Sequence, residues 1–161
     1  MEGRPQEPQE DGEGRVGAPA RGRGQGHKEA LRKEEGVNAV TFRTRIGEYR
    51  GELRKSAFSD ALWLSLPVSS VINMLGCEIY FEVPTESEAV GEKVTVLDKG
   101  DIAFWPGVGA ICLFFGPTPL SGKDGRPVSP YPVVKIGRLI GEIDSLADVG
   151  DRTGIVIEAA F

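Results

Sequence analysis

Apolar and polar positions alternate with a period of two through most of the chain beyond residue 36, the signature of half-buried strands. Val40, Phe42, Thr44 and Ile46 define a first strand ending at Gly47, and Tyr49–Leu53 follows at hairpin distance. The richest stretch runs from Gly100 to Pro119. Asp101–Trp105 and Gly109–Phe115 are short apolar runs separated by Pro106-Gly107-Val108-Gly109, which predicts an antiparallel hairpin. In the second run Ala110, Cys112 and Phe114 share one face and Ile111, Leu113 and Phe115 the other. Both faces are apolar, so this is a central strand covered on both sides. Gly116-Pro117-Thr118-Pro119 ends the ladder, since proline lacks a donor.

Ser56–Ser65 breaks the alternation. Ser56 can cap, Ala57, Ala61, Leu62 and Leu64 are good helix formers, and Leu66-Pro67 closes the segment. Phe58, Ala61, Leu62 and Ser65 fall on one helical face, expected to plug an open end of the sheet. Val68–Met74 and Cys77–Val83 form the next strand pair. Ile79, Phe81 and Val83 alternate with Glu78, Tyr80 and Glu82, giving an apolar face and an acidic one. Glu78 and Glu82 lie four positions apart at ~3.3 Å per residue, too far for a shared proton, and read as a solvated face. An acidic loop at Pro84–Gly91 precedes a strand at Glu92–Leu97. A Gly- and Pro-rich excursion reaches Pro132 before a strand at Val133–Leu139, a helical turn is expected at Ile143–Val149, and Gly154–Ala159 closes the chain. About eight strands and one or two short helices predict a mainly β fold, a closed or nearly closed antiparallel barrel, because closure removes exposed edges.

Composition divides the chain in two. Met1–Gly36 holds 8 of the 22 glycines, no aromatic residue, and 7 basic against 8 acidic side chains, so it is expected to be a disordered tail ahead of a domain at 37–161. Arg21-Gly22-Arg23-Gly24 resembles segments that contact single-stranded nucleic acid. The remainder carries 12 basic and 16 acidic residues, so nucleic acid is not expected as a partner. Lys28–Glu35 can form a transient helical turn ended by Gly36. No run approaches the ~18 apolar residues of a membrane span and no secretory h-region follows the N-terminus, so a cytoplasmic protein is expected. Cys77 and Cys112 lie in predicted strands without metal-ligand spacing and read as buried free thiols.

The single histidine, His27, lies in the tail, so the folded part has no histidine for triad catalysis or a His-bearing zinc site. Gly122-Lys123-Asp124-Gly125 lacks the phosphate-loop spacing. No cofactor or metal is expected. What remains is a rim of Tyr80, Phe104, Trp105, Phe115 and Tyr131 with Arg138 as a strand-borne cation. For these the plain readings are core packing for Phe104 and Phe115, a loop anchor for Tyr131, and an ion pair with Glu142 for Arg138.

Gly100-Asp101-Ile102-Ala103-Phe104-Trp105-Pro106, Phe114-Phe115-Gly116-Pro117-Thr118-Pro119 and Ile136-Gly137-Arg138 resemble the signature of the small prokaryotic cyclophilin-like domain family, and Glu78-Ile79-Tyr80-Phe81 and Ala61–Pro67 fit it too. The resemblance spans nearly all of Val37–Phe161 and implies an eight-stranded barrel capped by helix, the fold of the peptidyl-prolyl isomerases. Cyclophilins carry a Phe-His-Arg run whose arginine polarises the prolyl amide. The equivalent region here, Val71-Ile72-Asn73-Met74, has neither Arg nor His, and Asn73 brings no charge to an amide barrier of ~18–20 kcal/mol.

Three function classes follow. The first is a binding module whose cleft, built on Asn73, Glu78, Tyr80, Trp105, Phe115 and Arg138, holds a peptide or small molecule. The second is a weak prolyl isomerase in which Arg138 or Arg126 replaces the missing cation. The third is an interaction scaffold working through the tail.

Overall fold

The computed structural model describes residues 36–85 and 88–161. The expected tail, with its Arg-Gly run, His27 and helical turn, falls outside them apart from Gly36, as do residues 86 and 87 of the acidic loop. Asn38–Ala160 forms one compact unit. The elements are β1 (Val37–Thr44), β2 (Gly47–Arg54), α1 (Ala57–Ser65), β3 (Val68–Val71), β4 (Asn73–Leu75), β5 (Glu78–Glu82), β6 (Lys93–Val96), β7 (Asp101–Trp105), β8 (Ala110–Phe114), β9 (Val128–Ile140) and β10 (Gly154–Ala159). Among the described residues no helix is long and apolar enough to cross a membrane.

The strands form one sheet in the order β3-β10-β1-β2-β9-β7-β8-β5-β4, with β6 also on β9. The two ends of that order, β3 and β4, are consecutive in the chain and separated by Ile72 alone. One segment, Val68–Leu75, therefore pairs with β10 through its first half and with β5 through its second, closing the barrel by chain connection rather than by a complete ladder. Among the described residues ten strands stand where about eight were expected, chiefly because the run Val68–Met74 is divided at this crossover.

Two apolar clusters result, as the two-sided pattern of β8 requires. Ile111, Leu113 and Phe115 join Phe42, Phe81 and Phe104 inside the barrel. Cys112 and Phe114 join Leu97, Ala103 and Val133 on the outside, with Tyr80, Val94, Trp105 and Tyr131 packed around them. At Gly137 a Cβ would clash with the Glu52 carbonyl oxygen, so β2 and β9 pair with an approach that only glycine permits.

Helix α1 is capped as its sequence predicts. The Ser56 hydroxyl accepts from the Ser59 N–H at 3.0 Å, and the Ser59 hydroxyl accepts from the Ser56 N–H at 3.1 Å, a reciprocal box. Its buried face is Phe58, Ser59 and Leu62, whereas Ala61 and Ser65 are exposed. The expected face is thus rotated toward Ser59, whose hydroxyl donates to the Arg54 carbonyl at 2.7 Å and accepts from the Asn38 amide at 3.1 Å. Phe58 packs on Phe104 with ring centroids 4.6 Å apart, so the helix does plug the barrel interior.

Strand β9 begins five residues before the expected Val133. Pro130 and Pro132 fit because they lie between the Val96↔Val128 and Val94↔Val133 pairs, where the ladder with β6 is irregular and asks for fewer donors. The Ser129 hydroxyl satisfies Tyr131 locally, donating to its carbonyl at 2.6 Å and accepting from its N–H at 3.2 Å. The turn expected at Ile143–Val149 is a 3-10 helix, Asp144–Asp148, anchored by buried Leu146.

Candidate functional site

Strand register decides which expected site residues meet. Asn73 stands opposite Tyr80, Tyr80 opposite Cys112, and Cys112 opposite Ala103. In the flanking rows Glu82, Ala110 and Trp105 are in register, as are Glu78 and Phe114. Directly opposed residues share a face, so Asn73, Glu78, Tyr80 and Trp105 all lie on the outer face of β4, β5, β8 and β7. Phe115 does not. It is 3% exposed and belongs to the interior cluster, because alternation from Phe114 turns it inward and its N–H donates to the Cys77 carbonyl at 2.9 Å. Arg138 stands away from the rings at the Asp101 end of the sheet, donating to Asp101 at 2.8 Å and to the Lys99 carbonyl at 3.0 Å. Its expected pairing with Glu142 is not made, and Glu142 instead accepts from Ser145.

On this face the Trp105 and Tyr131 rings stack with centroids 3.4 Å apart and planes 4° apart. Tyr80 meets both edge-on, at 5.8 Å and 6.3 Å. All three rings are half-exposed. Beneath them Glu78 is fully buried, contrary to the solvated face expected for it, while Glu82 is exposed as expected. The difference is tertiary: Tyr131, carried in from β9, reaches Glu78 with its hydroxyl. The Tyr131 hydroxyl donates to Glu78 Oε2 at 2.6 Å, whereas Oε1 is buried without a hydrogen-bond partner among the described residues. Burial pushes the Glu78 carboxyl above its ordinary range, against the opposing effect of the Tyr131 hydroxyl and the neighbouring Cys112 thiol. Burial, and then the nearby Glu78 charge, push the Cys112 thiol well up, so it is held as a neutral thiol rather than a nucleophile. Tyr131 is raised as well, first by burial, and keeps the proton it donates to Glu78.

Beside the rings, at the β3/β5 seam, a shallow pocket of about 270 Å³ is lined by Ser70, Val71, Asn73, Glu82 and Arg152. Arg152 Nη1 donates to Asn73 Oδ1 at 2.6 Å. The Arg152 backbone has φ 63°, a left-handed conformation uncommon for a non-glycine residue. It is pinned there by its N–H donating to the Ile72 carbonyl at 2.8 Å, with Asp151 accepting from the Met74 N–H at 2.9 Å alongside. Arg152 is not among the site residues expected from the sequence. The other anticipated cation, Arg126, pairs with Asp98 at 3.1 Å.

The family described as cyclophilin-like matches residues 38–158. Among solved structures, the solution structure of a hypothetical protein from Archaeoglobus fulgidus is 35% identical, aligns over 78% of this chain and 97% of its own, and superposes with a TM-score of 0.65. No curated protein matches the chain.

Proposed function

The chain belongs to the cyclophilin-like family, and on that premise we propose that it is a binding module that takes a peptide or small ligand on the outer face of β4, β5, β7 and β8. The observation that carries this reading is the half-exposed cluster of Tyr80, Trp105 and Tyr131 set beside the Asn73–Arg152 pocket. Aromatic faces offer large contact area at low side-chain entropy, and a few fixed polar groups beside them give orientation. The cluster is a fixed platform: Trp105 and Tyr131 stack on each other and Tyr131 is tethered by Glu78, so a ring or a proline would dock on the ring surfaces turned to solvent.

The test is a titration of proline-containing peptides followed by NMR amide shifts. Shifts at Tyr80 and Trp105 that vanish in Trp105→Ala are the expected result. Peptides that shift no resonance on this face, or shift it equally in Trp105→Ala, sink the proposal.

One observation favours a second reading, weak prolyl isomerisation. Arg152 brings a guanidinium to within 2.6 Å of Asn73, the position at which the family resemblance expects a cation. Arg138 and Arg126, the substitutes considered from the sequence, are both engaged in ion pairs elsewhere. An isomerisation assay comparing the wild type with Arg152→Ala decides: turnover above the spontaneous rate that is lost in the variant supports catalysis, and a spontaneous rate in both removes it.

A further inference from the structure

The seam that closes the barrel is also where its ladder is broken. β3 and β5 are not hydrogen-bonded neighbours in the sheet; what joins them is the Ser70 hydroxyl donating to the Glu82 carbonyl at 2.6 Å. Main-chain groups alternate sides along a strand. Ile72 turns its N–H and C=O to the Thr153 and Arg152 side, so Val71 turns its own pair the other way, toward β5. Glu82 presents its carbonyl to the same gap. Main-chain polar groups therefore line the pocket in which Arg152, Asn73 and Glu82 also stand.

The charges of that pocket stand close together yet unpaired. Arg43, Arg126 and Arg138 each answer a carboxylate. Arg152, like Arg45, Arg50 and Arg54, makes no ion pair among the described residues, and here Glu82 lines the same pocket. Its side chain is held by a neutral amide, which fixes its direction without neutralising it, and leaves the rest of the guanidinium fork free to donate. The turn that carries it adopts a left-handed backbone at Arg152, a conformation maintained by the bonds to Ile72 and Met74. A cation and an anion are thus kept in one small cavity, each without the other.

Size and spacing narrow the occupant. At about 270 Å³ the pocket lies at the small end of ligand-site volumes. Nor can a whole strand be inserted: β3 and β5 approach within 8 Å, Cα to Cα, while an added strand needs two ladder spacings, about 9.5 Å. A single terminal residue entering from outside meets neither obstacle.

We propose that this pocket binds an α-carboxylate together with its adjacent nitrogen, the group shared by a peptide C-terminus and a free amino acid. The carboxylate docks on the Arg152 fork. Glu82 and the outward-turned Val71 carbonyl accept from the neighbouring N–H or ammonium. This deepens the ligand-binding reading above, since a chain end held by Arg152 lays its preceding residues along the row from Asn73 to Tyr80 toward Trp105.

The test uses the full chain and three probes: acetyl-Gly-Pro-Ala as the free acid, the same peptide as its C-terminal amide, and free alanine, each followed by NMR amide shifts. A hydrogen bond to a charged group contributes about 1.5–3 kcal/mol, so the acid is expected to bind at least about tenfold more tightly than the amide, with shifts at Val71, Asn73, Glu82 and Arg152. Arg152→Gln should erase that preference, and Arg152→Lys, which keeps the charge but not the fork, should retain part of it. Shifts with free alanine assign the site to amino acids; shifts with the peptide acid alone assign it to chain ends. Equal affinity for acid and amide, or a preference that survives in Arg152→Gln, overturns the inference. If both peptides move Trp105 and neither moves Arg152, the aromatic reading stands while this one fails. If neither peptide nor alanine moves either face, both fail.

Discussion

Replacing Tyr131 by Phe removes one oxygen and leaves the rest of the ring, so the stack on Trp105 and the volume over Glu78 are kept. What is lost is the donor to Glu78 Oε2 at 2.6 Å. Since Oε1 has no hydrogen-bond partner among the described residues, the variant leaves both oxygens of a buried carboxyl without one there. Losing a hydrogen bond to a charged group costs about 1.5–3 kcal/mol. With an unfolding entropy near 2.1 cal/mol/K per residue over roughly 120 residues, that is a fall in Tm of about 6–12 °C. Thermal unfolding by circular dichroism at pH 7 measures it. The decisive control is a double-mutant cycle with Glu78→Met, which removes the carboxylate at similar shape. Replacing both partners of a buried hydrogen bond with apolar groups is nearly neutral, so Tyr131→Phe should cost much less in the Glu78→Met background than alone. A fall of under about 2 °C for the single variant, or equal costs in the two backgrounds, would refute the assignment of Glu78 as the anchor beneath the aromatic cluster.

The same carboxyl makes stability depend on pH. Its folded pKa is raised by burial, so its contribution is fully present below the unfolded value of about 4.3 and is lost as pH rises through the folded value. Glu78→Gln should therefore gain on the wild type as pH rises from about 4 to 8, and parallel Tm profiles for the two proteins would contradict this. Phe114, fully buried in the outer cluster, should cost about 3–5 kcal/mol on replacement by Ala, measured by urea denaturation. A loss under about 1 kcal/mol would mean that the outer cluster collapses around the gap or is not a core at all.

The fold was legible because its signals are local. Capping at Ser56, the stop at Leu66-Pro67, the hairpin around Pro106–Gly109 and the double-faced pattern of β8 each depend on neighbours in sequence, and each is found where expected. The candidate site was legible only in part. Tyr80 and Trp105 come together because they stand in adjacent rows of paired strands. Phe115 was grouped with them although its own alternation opposes it to Phe114. A strand that is apolar on both faces does not declare which face is the barrel interior. Glu78 reads as solvated from its own strand, and its burial depends on Tyr131 arriving from 53 positions away. Arg152 sits 79 positions from Asn73, and nothing in a turn sequence announces the strand it will abut.

The packed interior and the pocket at the β3/β5 gap are separable in this architecture for a reason that lies in its closure. The helix-plugged interior is sealed from the outer face by the strands themselves, so Phe42, Phe81 and Phe104 pack with Phe58 and share no side-chain cluster with Tyr80 or Trp105. The crossover at Ile72 leaves a gap in the ladder that must be held by side chains and turns: Ser70 to Glu82, Arg152 to Asn73, Asp151 to Met74. Side chains at such a gap can change without altering a strand register, whereas those inside cannot. Divergence of ligand preference within the fold is therefore expected to concentrate at positions 70, 73, 82 and 152, where a substitution alters the chemistry offered to solvent and leaves the barrel's packing as it was.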